Sequence, residues 1–151
     1  MLSLYLNSTS VSGDISGWVL PSTMQYLSLH STFVRVLAPF AGVGSGMMDF
    51  QIQNCSLPVG DVDNVISSIW NARREFTWDT PALNVGGNNA APGGNVAAPP
   101  GDGASNSDWN WNAGTGKYEP LTAGAMIWDL AKDVNSEGFK KWAITYNGGS
   151  I

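Results

Sequence analysis

The chain has 151 residues, a formal net charge of −5, only seven lysines and arginines, one histidine and one cysteine. Its length supports one sizeable core and one domain. So few cations supply neither the phosphate neutralisation that nucleic acid demands nor attraction to an anionic membrane surface, and one cysteine excludes an internal disulfide framework or a multi-thiolate zinc site.

Charged residues make up 13% of the chain, about half the usual globular share, while Gly, Asn, Ser and Thr are abundant. That balance leans toward a virion or extracellular setting. No run reaches the roughly 18 apolar residues of a transmembrane helix, so no membrane insertion is expected. Met1-Leu2-Ser3 lacks the basic start of a secretory signal.

From the first residue the chain repeats itself. Met1-x-x-Leu4-x-Leu6-x-x-Thr9-x-Val11, Met24-x-x-Leu27-x-Leu29-x-x-Thr32-x-Val34 and Met47-x-x-Phe50-x-Ile52-x-x-Cys55-x-Leu57 recur at a step of 23 residues. A constant period of this size predicts stacked units, each a short strand plus a return segment that buries its apolar face only against its neighbours. Alternation within the strands turns Leu4, Leu6, Leu27, Leu29, Phe50 and Ile52 inward. Ser3, Tyr5 and Asn7, then Tyr26, Ser28 and His30, then Asp49, Gln51 and Gln53 face outward in three aligned rows.

These lines resemble the leucine-rich repeat family, with Thr9, Thr32 and Cys55 at its polar position. The return Val11-Ser12-Gly13-Asp14-Ile15-Ser16 is similar to that of plant-type members, with Ser16 where a proline would stand. The resemblance implies an α/β fold: a right-handed solenoid with a short parallel sheet, mixed irregular and helical returns, and strands near 2–7, 26–30, 49–53, 82–86 and 142–146. Repeats are expected at about 1–23, 24–46, 47–79 and 80–138, with a terminal strand in 139–151.

The second return, Arg35–Gly46, lacks the Ser-Gly pair. Gly42, Gly44 and Gly46 precede a strand instead of following one into a helix, so they read as a flexible return and not as a dinucleotide loop. After Pro58, Val62, Val65, Ile66 and Ile69 recur at helical spacing, with Asp61 as the expected N-cap. That longer return explains why Leu83-x-Val85-x-x-Asn88-x-Ala90 arrives 33 residues after the Phe50 line. Asn88 is expected to fill the polar column.

Residues 86–120 are rich in Gly, Asn, Ala, Pro, Ser and Asp and read as an insertion loop unable to pack a core, with Trp109, Trp111 and Tyr118 as anchors or stacking surface. Ile127, Leu130, Ala131 and Val134 define a second helix over about Thr122–Glu137 with Gly138 at its C-cap. Phe139-x-x-Trp142-x-Ile144-x-Tyr146 then repeats the strand half. This tail resembles the ends of repeat proteins in phage and environmental bacterial sequences.

Little in the chain points to catalysis. His30 is the sole imidazole, at an outward position, and Cys55 occupies a structural column, so no catalytic residue is assigned. Asp61-x-Asp63-Asn64 begins like a calcium loop but runs into the helix, Asp102–Asp108 reads as a solvated loop, and no His/Cys cluster suits zinc. No cofactor or metal is expected.

The candidate ligand-binding residues are therefore Tyr5, Tyr26, Ser28, His30, Asp49, Gln51 and Gln53, with Trp109 and Trp111 from the loop. The expected function is recognition of protein or glycan by a phage, virion or extracellular module, the alternative being a purely structural component. Because Met1 already occupies an apolar column, the Met1–Val11 edge is expected to be buried against a partner protein, a neighbouring subunit or an upstream part of the polypeptide, unless Trp18 and the first return cover it.

Overall fold

A computed structural model describes residues 2–151; Met1, which opens the first apolar column, lies outside the described residues. In chain order the elements are β1 (Leu2–Tyr5), β2 (Ser12–Asp14), β3 (Met24–Ser28), β4 (Phe33–Arg35), β5 (Asp49–Gln51), α1 (Val59–Asn71), β6 (Ala82–Asn84), β7 (Trp109–Asn112), β8 (Lys117–Pro120), α2 (Ala123–Lys132), β9 (Ala143–Tyr146) and β10 (Gly149–Ser150). They make a mixed α/β protein with a mostly parallel sheet. Six strands run in the order β1-β3-β5-β6-β9-β10, flanked by the pairs β2-β4 and β7-β8. Only the last joint of the main sheet, β9 to β10, is antiparallel.

Register follows the apolar pattern. Leu4, Leu27, Phe50, Leu83 and Ile144 are successive cross-strand partners, and from Leu27 onward the column is buried. Backbone bonds carry the ladder past the ends of the strands: Leu6 N–H donates to Ser28 O, Ser8 to His30, Leu29 to Gln51, Ser31 to Gln53, Ile52 to Asn84 and Asn54 to Gly86. The chain then leaves each strand through a left-handed residue, Ser8, Ser31 and Asn54 (each φ +58°) and finally Gly87 (φ +72°). This conformation costs a non-glycine residue roughly 1–2 kcal/mol, so its recurrence reflects a turn imposed by stacking. Beyond it, the Thr9 and Thr32 hydroxyls donate back to the Leu6 and Leu29 carbonyls. The Cys55 thiol lies 3.2 Å from the Leu29 carbonyl and 3.5 Å from the Thr32 hydroxyl.

On the return side, β2 and β4 pair in parallel, a ladder that the alternation of the main strands does not foretell. Gly44 and Gly46 lie where neighbouring returns touch: a Cβ on either would collide with the carbonyl oxygens of Pro21 or Ser22. They are close-approach glycines and not a flexible loop's glycines.

The second half departs from the sequence reading in three places. Helix α1 starts at Val59 with Pro58 as its N-cap and no side-chain cap. Asp61 is not the cap: it is buried, and its carboxylate accepts from Arg35 Nε (2.6 Å), Arg35 Nη2 (3.1 Å) and the Val36 backbone N–H (2.8 Å). Helix α2 is capped at Thr122, whose hydroxyl accepts from Ala125 N–H, but it stops at Lys132. There Asp133 turns left-handed, and its carboxylate takes the N–H groups of Glu137 and Gly138, so Gly138 belongs to a later turn and is not the C-cap. The segment 86–120 is not wholly irregular, since β7 and β8 form an antiparallel hairpin within it.

Candidate functional site

Parallel pairing brings the outward residues into rows. Tyr26 stands between Ser3 and Asp49, and Ser28 between Tyr5 and Gln51, while the ladder through His30 and Gln53 aligns the third row. Tyr5, Tyr26, Ser28, His30, Asp49, Gln51 and Gln53 line one concavity of about 370 Å³ with Leu27 beneath them. Alternation is the cause: the set that points away from the core lies on one face of the sheet.

The site has an uneven supply of hydrogen-bonding groups. The Gln51 amide donates to an Asp49 carboxylate oxygen, which fixes both side chains. Gln53 Oε1 is shielded from solvent and has no hydrogen-bond partner among the described residues. His30 Nδ1 lies 3.4 Å from the Ser31 hydroxyl, so its orientation comes from a weak, local contact. Tyr5 is 62% exposed and offers a ring face at the rim. Donors, acceptors and flat aromatic area converge here, which suits binding of a hydroxyl-rich or amide-rich surface.

The two loop tryptophans are elsewhere. Trp109 is 0% exposed and its indole N–H donates to the Ala97 carbonyl at 3.0 Å; it is an anchor of the hairpin and presents no face to a ligand. Trp111 is half-buried against Tyr118, with ring centroids 4.8 Å apart, and the Tyr118 hydroxyl accepts from Gly103 N–H. Neither indole lines the concavity.

Polar residues that sequence reasoning passed over hold the second half together. Asn89, not Asn88, fills the buried polar position: it is 1% exposed, accepts from Cys55 and Leu57 N–H and donates to the Ile52 and Val85 carbonyls. Asn88 is exposed and bonds Ser56. Asp108 accepts from Asn95 and Thr122, bonds that hold its carboxyl below the usual range.

Glu137 gathers three of the seven cations, Arg73 (3.1 Å), Arg74 (2.7 Å) and Lys117 (3.2 Å). Burial pushes its pKa up, but the hydrogen bonds and charges of those cations outweigh it and bring it down to about 2. Beside it, burial pushes Asp129 up despite the Trp70 indole N–H at 2.8 Å. Arg73, Arg74, Lys117 and Glu137 also line an open cleft of about 460 Å³, in which their charges are paired with one another and clasp the hairpin to the end of α1. Only Asn89 left a signal in sequence, as the second of two adjacent asparagines; the others are non-local pairings.

Cys55 is buried, with its thiol turned to backbone carbonyls. Among the described residues no group of three or more His, Cys, Asp or Glu is placed to hold a metal ion, and no helix is long and apolar enough to cross a membrane. No protein-family model, curated protein or solved structure matches this chain.

Proposed function

We propose that this chain is a right-handed solenoid of leucine-rich repeat type that works without catalysis, as a recognition module of a virion or other extracellular assembly, binding glycan or protein through its outward strand face. The observation that carries the reading is the convergence of Tyr5, Tyr26, Ser28, His30, Asp49, Gln51 and Gln53 on one concavity. Its volume lies near the lower end of ligand sites, the scale of a sugar unit or a protruding side chain. The solenoid is supported by the unbroken Leu4-Leu27-Phe50-Leu83-Ile144 column and by left-handed turns at the same step, and its hand by the strong rule for parallel crossovers. A non-catalytic role is supported by His30, whose one side-chain partner among the described residues is a serine hydroxyl, where a general base is oriented by a carboxylate or carbonyl. The poverty of charge supports the extracellular setting.

The test is a screen of immobilised oligosaccharides and of candidate assembly proteins with the full chain, repeated with Tyr26→Ala and Gln51→Ala. Each substitution should weaken the captured ligand by at least about tenfold while leaving stability within about 1 kcal/mol, because both side chains lie outside the core. A purely structural component would bind its neighbours equally well with either change. Activity abolished by His30→Ala would replace the reading with an enzymatic one.

A further inference from the structure

We infer that the ligand of the outward strand face is an uncharged linear glycan lying across the strands, and that Asn84 and Thr145 are further binding residues for it. The inference rests on the reading of that face as the recognition surface and names its ligand class. The concavity takes its lining from β1, β3, β5 and the residues that follow them, but the rows continue. Parallel register carries Ser28 and Gln51 on to Asn84 and Thr145, and Tyr26 and Asp49 on to Ala82 and Ala143. Because Leu83 and Ile144 are buried between them, these four residues share the face of Gln51. From β1 to β9 that face crosses five strands, roughly 19 Å at the ordinary spacing of a sheet, a distance of several sugar units.

Two neighbouring rows make a track. In one, Tyr5, Ser28, Gln51, Asn84 and Thr145 present a hydroxyl or an amide at every strand. The other begins with Tyr26 and Asp49 and then drops to Ala82 and Ala143, whose methyl groups leave room for a chain beside the polar row. Asn84 Oδ1 accepts from Gly86 N–H at 3.1 Å, which orients the amide and leaves its own N–H groups to donate. Thr145 is exposed, and its hydroxyl both donates and accepts. Such two-way hydrogen bonding at a regular step matches the hydroxyls of successive sugar units. At the β1 end the exposed ring of Tyr5 offers a flat surface for the C–H side of a pyranose.

Charge narrows the ligand further. Among the described residues of these five strands, Asp49 is the one charged side chain. A ligand carboxylate or sulfate would meet no cation there and would be repelled by Asp49, whereas a hydroxyl donates to that carboxylate in a charge-assisted bond. A protein surface fits less well. The centre of a protein interface is apolar, and the outward positions of β3, β5, β6 and β9 hold no aliphatic side chain larger than alanine.

The experiment titrates the full chain with neutral linear glucans, mannans and N-acetylglucosamine chains of two to six units, beside oligogalacturonates and candidate assembly proteins. Each titration is repeated with Tyr26→Ala, Thr145→Val and Asn84→Ser. We expect a neutral chain whose binding depends on Tyr26 and tightens at least about tenfold from disaccharide to tetrasaccharide, as contacts are added along the row. Thr145→Val removes one hydroxyl from an exposed position and should weaken the tetrasaccharide by about threefold to tenfold, the loss of one net hydrogen bond, while leaving the disaccharide unchanged. A Tyr26-dependent ligand that is an acidic glycan or a protein overturns the inference and leaves the recognition face standing. So does a neutral disaccharide bound as tightly as the tetrasaccharide, or a tetrasaccharide indifferent to both Thr145→Val and Asn84→Ser. If no ligand binds in a Tyr26-dependent way, the inference and the recognition face fall together.

Discussion

The two halves of the main sheet are held by different means. From β1 to β5 the strands are joined by short returns, and stability comes mainly from stacked apolar columns, the polar contacts being the ladder of Thr9, Thr32 and Cys55 and the carboxylates of Asp14 and Asp61, which accept backbone N–H groups of the returns. From β5 to β9 the two returns contain α1 and then the hairpin with α2, and buried polar residues do much of the joining: Asn89, Asp108, Asp129 and Glu137. Longer and less regular returns leave backbone groups that no ladder satisfies, and each buried one must find its own partner. Regular stacking relies mostly on buried carbon; irregular stacking depends more heavily on specific side chains placed at specific backbone atoms.

The largest expected effect breaks the apolar side of this contrast. Phe50→Ala, in the middle of the column, should cost about 3–5 kcal/mol, whereas Leu4→Ala at the half-buried edge should cost less than about 2 kcal/mol. Urea denaturation of both variants measures the difference, and equal losses would mean that the edge is covered in solution. Asn89→Ala tests the polar side. It strands two backbone N–H groups and two carbonyls, so a loss of about 2–4 kcal/mol is expected from the penalty for unmet buried groups. Asn88→Ala should be nearly silent.

Acid sharpens the contrast. Glu137 has a folded pKa of about 2, below its ordinary 4.5, so its contribution is complete above about pH 4.5 and is lost as pH falls toward 2. Asp129 is shifted upward and runs in the opposite sense, gaining from protonation. The hairpin that Lys117 ties to Glu137 should therefore loosen in that window while β3 and β5 stay protected. Amide exchange of residues 117–119 against residues 26–28 at descending pH reports this, and Glu137→Gln should reduce the pH dependence, leaving the part due to Asp108 and Glu119. The smallest effect is at the turns: Ser31→Gly relieves a left-handed serine and should be neutral or stabilising by about 0.5–1 kcal/mol, visible as a small rise in Tm.

What could be read from sequence was whatever repeats. Leu27 and Phe50 declare themselves because a two-residue alternation recurs at a fixed step, and Val62, Val65, Ile66 and Ile69 because the period changes to that of a helix. The concave rows followed from the same alternation, which is why seven of the nine nominated residues meet in one concavity. Asn89 escaped because the chain, turning through Gly87, reaches the buried position one residue later than the spacing from Val85 implies, and two neighbouring asparagines look alike to a pattern. Asp61 reads locally as a cap, yet its partner Arg35 lies 26 residues away. Trp109 was misplaced as a possible contact because the average composition of residues 86–120 conceals a hairpin with its own buried anchor.

The proposed recognition surface is the outward strand face. Chemical-shift mapping of the isotope-labelled full chain, titrated with an oligosaccharide or partner selected by the binding screen, tests it most directly. The perturbed amides and side chains are expected to cluster on Tyr5, Tyr26, Ser28, His30, Asp49, Gln51 and Gln53. Perturbations centred instead on the Trp111–Tyr118 hairpin, or on the cleft of Arg73, Lys117 and Glu137, would contradict it.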